Sequence, residues 1–435
     1  MIKKATSAVL VALSWTAFTF WGNYFDHVSA SSASLLAINA AASRDGIRCT
    51  GTDAALGLTS EEVSSYVKEQ VEADSSESDA AVAPPKITAQ AACLMEPATE
   101  TVLFGKNIHQ PLAPASITKV ATAMVVLEKA KLDDVVTIPR QACGIEGSSM
   151  GLRPNQKYKV KDLLEAMLLI SANDAAEALA IHVGGTREDF TAMVNRRLQD
   201  IGLLNTRFLN PHGISKPGHF STAYDLALLG KWALGDDRFT RCVSSKTSTI
   251  NELSEDRELH LANTNKLLWT YPGAEGIKTG TTQAAGNCLL AAAKRGEMRL
   301  IAVVLKSRDR WGDAARLLDW GFENFRLERP ASAGQIWYTL RVTGGDQAFV
   351  DLACDSDLEA VVLANSQVAL DMYVNEPVRA PVLCGEPLGV IRLRLGDKVL
   401  REGTLVAVTA VHRKTLIRTL LGAVSQIVVR LVPHL

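Results

Sequence analysis

Hydrophobic positions change period several times along the chain, and each change marks an element. Short apolar runs over 87–95 and 100–106, separated by a turn at Pro97, predict two strands. After Pro114, an Ala- and Val-rich run to Leu127 predicts a buried helix opening near Ser116, since proline disfavours helix in the residue before it. Leu163, Leu164, Met167, Leu168 and Ile170 recur at helical spacing, giving an amphipathic helix within 162–182 that runs out at Ser171-Ala172-Asn173. Helices are expected over 187–201 and 223–234, separated by a loop containing Asn210-Pro211-His212-Gly213. Two apolar runs over 288–293 and 299–305 read as adjacent antiparallel core strands joined at Arg295-Gly296-Glu297, and a helix over 313–325 closes this part. From 335 to 410 short alternating runs punctuated by Gly and Pro suggest a small all-β domain. In the final stretch, Leu416, Ile417, Leu420, Leu421, Val424, Ile427, Val428 and Leu431 fall within an arc of roughly 140° at about 100° per residue.

The two ends add a setting. Lys3 and Lys4 precede an uncharged stretch to Phe25, and Val28-Ser29-Ala30 offers a cleavage point, the pattern of a secretory leader; an uncleaved anchor is the alternative. From Asp53 to Pro85 the chain is acidic and rich in Ser and Ala, which predicts a linker. The last segment carries Arg413, Lys414, Arg418 and Arg430 with no acid, so its amphipathic helix suits an anionic membrane surface, or else packs on the β domain. The expected organisation is therefore a signal peptide (1–30), a linker (31–85), a helix-flanked sheet domain (86–327), a β domain (328–410) and a membrane-associating helix (411–435).

A net charge of −1 lacks the basic surplus of a nucleic-acid binder. The seven cysteines are scattered without a CxxC, which argues against a zinc site. Most are expected as small buried hydrophobes, with Cys354 and Cys384 the pair that could close a disulfide.

Candidate chemistry centres on Ser116 and Lys119, one helical turn apart, so that an amine can reach the hydroxyl it must deprotonate. Spacing alone decides nothing, because Ser65 and Lys68 repeat it inside the linker. Two further fragments, Ser171-x-Asn173 and Lys278-Thr279-Gly280, follow in order and give Ser116 a context that Ser65 lacks.

On these three motifs the chain resembles the active-site serine penicillin-binding proteins, specifically the low-molecular-mass D-alanyl-D-alanine carboxypeptidases. Pro114-Ala115-Ser116, Gly147-Ser148-Ser149, Asn210-Pro211-His212-Gly213, Phe220 to Asp225 and Leu317 to Phe322 extend the resemblance. It implies an α+β fold of the β-lactamase/transpeptidase type, an antiparallel sheet flanked by helices plus a helical subdomain. It implies Ser116 as nucleophile, Lys119 as base and Ser171 as proton relay. Asn173, Lys278, Thr279, Gly280, Thr281, Thr282 and Arg310 would bind substrate, with Arg308 close enough to compete for the last role. The backbone N–H groups of Ser116 and Thr281 would form the oxyanion hole. Expected partners are peptidoglycan stem peptides ending in D-Ala-D-Ala, β-lactams and the membrane surface; no cofactor or metal is implied. The expected place is the extracytoplasmic face of a bacterial cell membrane. The middle motif has Ala172 where many relatives carry Gly, and Thr281 stands where some carry His. His212, in a Pro-Gly loop, is read as structural. A class A β-lactamase would need a Glu ahead of Asn210, and none stands between Asn195 and Asn210. The remaining alternative is a non-catalytic peptidoglycan-binding scaffold.

Overall fold

The structure, a computed structural model, describes residues 83–414. The leader, nearly all of the acidic linker with Ser65 and Lys68, and the amphipathic segment from Thr415 onward lie outside the described residues.

The chain begins with the hairpin β1 (Ala91–Glu96) and β2 (Thr101–Lys106). It then winds a helical subdomain from α1 (Thr118–Lys129), the short pair β3 (Val135–Thr137) and β4 (Lys157–Lys159), α2 (Val160–Leu169) and α3 (Asn173–Gly184). This continues through α4 (Arg187–Asp200), α5 (Ala223–Leu234), α6 (Asp237–Ser244) and the hairpin β5 (Thr247–Glu252) and β6 (Arg257–Ala262). Next come β7 (Ala274–Thr282), β8 (Gly286–Arg295) and β9 (Met298–Ser307), and then α7 (Arg310–Asn324). The five long strands form one antiparallel sheet in the order β2-β1-β9-β8-β7, which leaves β7 at an edge.

That sheet is covered on both faces, so its strands are continuously apolar rather than alternating. Cys93, Leu290, Ala292, Ile301 and Val303 pack with the helical subdomain. Their neighbours Leu94, Leu289, Ala291, Leu300 and Ala302 pack under α7 with Ala314, Leu317 and Leu318. Opposite faces follow from the two-residue period of a strand. Helices α4 and α5 open on Thr186 and Thr222, whose hydroxyls accept the backbone N–H of Asp189 and Asp225.

The strand expectations over 87–106 and the β8–β9 pair agree with the structure, where Arg295 opposes Met298 across the turn. The segment 162–182 is two helices. Ser171 adopts φ of +63° between them, which no right-handed helix accommodates, and Asn173 opens a new helix instead of ending the old one. The Lys278-Thr279-Gly280 motif lies within β7 itself. Helix α6 and the hairpins β3–β4 and β5–β6 were not expected.

Directly after α7, β10 (Phe325–Ala331) pairs with β13 (Leu358–Leu363). A six-stranded sheet follows in the order β14 (Val368–Val374), β16 (Pro387–Leu395), β17 (Lys398–Ala407), β12 (Phe349–Cys354), β11 (Ile336–Thr343), β15 (Val378–Arg379). Its own core includes Leu340, Val350, Leu352, Ile391 and Leu405. Phe325 and Val361 instead join the cluster beneath α7, so apolar packing runs from one domain into the next. Cys354 and Cys384 are both free thiols, one buried and one exposed, and the disulfide considered for them is absent.

Candidate active site

The chain enters the site through a single 3₁₀ turn, Ala115–Ile117, that feeds α1. Ala115 has φ of +50°, a strained value for a residue with a side chain. The neighbours that hold it there are specific. Thr118 Oγ1 donates to the Ala115 carbonyl at 2.9 Å. The same hydroxyl lies 2.9 Å from His219 Nε2, while His219 Nδ1 accepts from Leu209 N, which leaves the imidazole proton on Nε2 to donate to Thr118. Burial, and then the charge of Lys216, push His219 down to about 4. Gly213, at φ +89°, comes so close that an added Cβ would stand 1.9 Å from the Ala115 oxygen.

Lys119 lies one turn beyond the half-buried Ser116 and is itself fully buried. Its Nζ is 2.9 Å from Ser116 Oγ, 2.6 Å from Asn173 Oδ1 and 2.7 Å from the His212 carbonyl. The last two groups can only accept. A neutral amine has two hydrogens and one lone pair, so giving the hydrogens to these acceptors leaves the lone pair for the serine hydroxyl. Burial, and next the charge of Lys278, hold Lys119 well below the usual lysine value, against the opposing pull of Asp174. Lys278 is equally buried and is brought down to about 7 by burial and then by Arg310.

Strand β7 delivers the third motif. A Cβ added to Gly280 would meet the Pro114 carbonyl at 2.9 Å and Ser116 N at 3.0 Å, so only glycine lets the strand backbone lie this close to the nucleophile turn. Thr279 Oγ1 is 3.2 Å from Thr264 Oγ1. Thr282 Oγ1 accepts from Ala285 N and lies 2.7 Å from Ser215 Oγ. At the start of α7, Arg310 Nη1 donates to the Gly280 carbonyl at 3.0 Å and to Thr281 Oγ1 at 2.7 Å, with its guanidinium over the Trp311 ring. Arg308 is tied only through its backbone N–H to Thr88, so Arg310 is the arginine of this site.

Ser171 and Asn173 come from the α2–α3 junction. The Ser171 hydroxyl makes no hydrogen bond among the described residues. Asn173 uses both ends of its amide, accepting from Lys119 and donating from Nδ2 to the Glu146 carbonyl at 2.5 Å. Next to it, Asp174 gathers Ser149 Oγ, Met150 N and Leu152 N, which fastens the Gly147–Ser149 loop to α3. The structure thus brings Ser116, Lys119, Asn173 and Lys278 together, with Gly280 against the nucleophile turn and Arg310 on the same strand end. Sequence reasoning missed the His212 carbonyl and the supports Thr118, His219 and Asp174. Among the described residues no group of three or more His, Cys, Asp or Glu is placed to hold a metal.

A buried lysine facing a serine, a second buried lysine on an edge strand and an asparagine between them define a serine acyl-transfer centre on a transpeptidase-type fold. The chain belongs to the D-alanyl-D-alanine carboxypeptidase family, whose sequence profile matches residues 78–309. Residues 325–413 match a second profile, described as the C-terminal domain of penicillin-binding protein 5. The chain is 32% identical over 330 residues to the D-alanyl-D-alanine carboxypeptidase DacF of Bacillus subtilis strain 168, covering 73% of this chain and 85% of the relative. It is 35% identical over 348 residues to DacC of Escherichia coli K12, covering 75% and 85%. Among solved structures, penicillin-binding protein 5 from Haemophilus influenzae superposes with a TM-score of 0.66 at 32% identity, covering 76% of this chain and 99% of that one.

Proposed function

We infer that the chain is a serine-type D-alanyl-D-alanine carboxypeptidase that removes the terminal D-alanine from peptidoglycan stem peptides and is acylated by β-lactams. The observation that carries the chemistry is the environment of the Lys119 amine, two pure acceptors and one serine hydroxyl in a dry, cationic pocket.

Lys119 Nζ takes the proton of Ser116 as Oγ attacks the carbonyl of the penultimate D-alanine. The oxyanion forms against the backbone N–H groups of Ser116 and Thr281, a donor pair worth about 3 kcal/mol per donor in such sites. The Lys119 proton then passes through Ser171 to the leaving amine, and the C–N bond breaks to release D-alanine and leave an ester on Ser116. Water attacks that ester, its proton returns by the same path, and the free acid departs. A β-lactam acylates the same oxygen, but its amine stays tethered after ring opening. Lys278, Thr279 and Thr282 receive the substrate carboxylate, and Arg310 fixes the strand end and Thr281 beside it. Asn173 holds Lys119 and, as the family resemblance implies, also meets the substrate backbone.

The β-lactamase alternative is not favoured, because the 201–218 segment offers no carboxylate to hold a hydrolytic water near the ester. Labelling with a fluorescent penicillin tests the acyl-enzyme: wild type takes one equivalent and Ser116→Ala takes none. Absence of an adduct on wild type would sink the proposal. Mass spectrometry of a pentapeptide ending in D-Ala-D-Ala should show loss of one alanine.

The chain acts outside the cytoplasm, at the outer face of the cell membrane. Its leader-like N-terminus and the basic amphipathic pattern after Lys414 support this. Among the described residues no helix is long and apolar enough to cross a membrane. Truncation after Lys414 should move the protein from the membrane pellet to the supernatant with activity on soluble peptide unchanged; persistent pelleting would refute the tail's role.

A further inference from the structure

One buried acid in the helical subdomain has no task in the mechanism above. Glu177 lies four residues after Asn173, on the same face of α3 and one turn further from the site. Its side chain is 1% exposed, one oxygen accepts from Arg187 Nε at 2.6 Å, and Oε2 has no hydrogen bond among the described residues. A buried carboxylate oxygen without a partner costs stability, so its retention needs a reason. Oε2 faces His212 Nε2 at 3.8 Å. His212 Nδ1 accepts from Ile214 N, which assigns the ring proton to Nε2, the nitrogen that points at Glu177. The backbone carbonyl of this same histidine holds the Lys119 amine.

We propose that Glu177 is a positioning residue for the general base. With Arg187 neutralising its other oxygen, its carboxylate orients the Nε2–H tautomer of His212, and so fixes the loop whose carbonyl aims the lone pair of Lys119 at Ser116. Helix α3 thereby acts on Lys119 twice, directly through Asn173 and indirectly through Glu177. The contact tightens to a hydrogen bond if the two side chains approach by less than about 1 Å. The inference rests on Lys119 being the base.

The charged groups facing this cluster set the sign of its pH effect. Lys119 is met by Lys278 from β7 and by Asp174 from α3. Burial raises Glu177 above the usual carboxylate value, and of the groups that meet it Arg187 of α4 and Lys216 pull it back down while Glu188 of α4 pushes it up. His212 is met by Lys119, Arg187, His219 and Lys216, and burial keeps it neutral. Removing the Glu177 charge makes these surroundings more positive, and a loosened His212 carbonyl supports the ammonium less. Both changes favour neutral Lys119.

The test is the acylation rate constant with a fluorescent penicillin between pH 4 and 9, for full-length wild type, Glu177→Gln and Glu177→Ala. Rates are normalised to active sites by penicillin stoichiometry, and Tm is measured alongside. The glutamine variant keeps the volume and guards against a folding failure of the alanine variant. In Glu177→Gln the alkaline plateau should fall about tenfold, the worth of one buried polar contact. Its acid limb, which reports the base, should move to lower pH. A wild-type profile, or a fall in rate with the acid limb unmoved, overturns the proposal and leaves Glu177 a packing residue. Failure of wild type to acylate at all would instead remove the base assignment and this inference with it.

Discussion

A lysine amine can deprotonate serine only while it is neutral, and two features keep Lys119 so: the pocket is dry, and Lys278 repels a second positive charge. The two acceptors, Asn173 Oδ1 and the His212 carbonyl, take its hydrogens and aim its lone pair, and by themselves favour the ammonium. Acylation should therefore rise with pH through the lowered Lys119 value and then level off. The role proposed for Lys278 has the opposite requirement, since a lysine must be charged to hold a carboxylate, and Lys278 is brought down to about 7 in the free protein. As pH climbs through that value, KM for a pentapeptide should increase while the acylation limb stays flat. Lys278→Arg, which cannot lose its charge, should abolish the rise. A KM independent of pH in wild type would mean that Lys278 does not read the carboxylate. At this scale the motifs named four side chains that the structure brings together, Ser116, Lys119, Asn173 and Lys278. They were silent on the supporting side chains Thr118, His219 and Asp174 and on the backbone carbonyl that holds the Lys119 amine. His212 was dismissed as structural because its ring has no catalytic task, yet its carbonyl is one of two acceptors for the base.

At the scale of elements, the nucleophile turn and the 210–213 loop fit each other with no slack. Asn210 ties that loop internally, accepting from Gly213 N at 2.7 Å and donating to the Ile214 carbonyl at 2.8 Å. Gly213→Ala would thrust a methyl group into the Ala115 carbonyl. The expected outcome is a fall in acylation of about a hundredfold, the scale of a misplacement near 1 Å, with the far-UV circular dichroism unchanged. Acylation within twofold of wild type would show that the turn can move without consequence. The break between α2 and α3 was only half legible. Periodicity detects where apolar spacing stops, but the left-handed Ser171 and the immediate restart at Asn173 depend on contacts from elsewhere, such as Ser148 O accepting Asn173 N at 2.7 Å. Helix α6 escaped notice because it is only eight residues long and mostly polar, with Phe239 and Val243 as its buried residues.

Across the whole molecule, the burial that tunes the site also makes it sensitive to acid. His212 and His219 are brought down from 6.5 to about 3 and about 4. Below pH 6.5 the unfolded chain takes up protons that the native rings refuse, so unfolding becomes easier as pH falls. Tm should drop steadily from pH 6.5 toward pH 4, and above pH 7 it should go on rising, because the unfolded chain there holds a lysine proton that native Lys278 has released. In His219→Asn the slope over the acid window should be shallower; an equal slope would place the acid sensitivity elsewhere. Two sheet-containing domains could be read from apolar runs and turn residues, because those signals are local. The order β2-β1-β9-β8-β7 could not, since it joins strands from the two ends of the catalytic domain around an inserted subdomain. One consequence of that order concerns the substrate. Because β7 terminates the sheet, its outer row of N–H and C=O groups has no neighbouring strand among the described residues, and the substrate proposed above, an extended peptide, would dock there as a sixth strand. Main-chain pairing of this kind is indifferent to side-chain identity. It predicts tolerance toward variation early in the stem peptide, and a sharp loss of turnover when a single amide facing β7 is N-methylated.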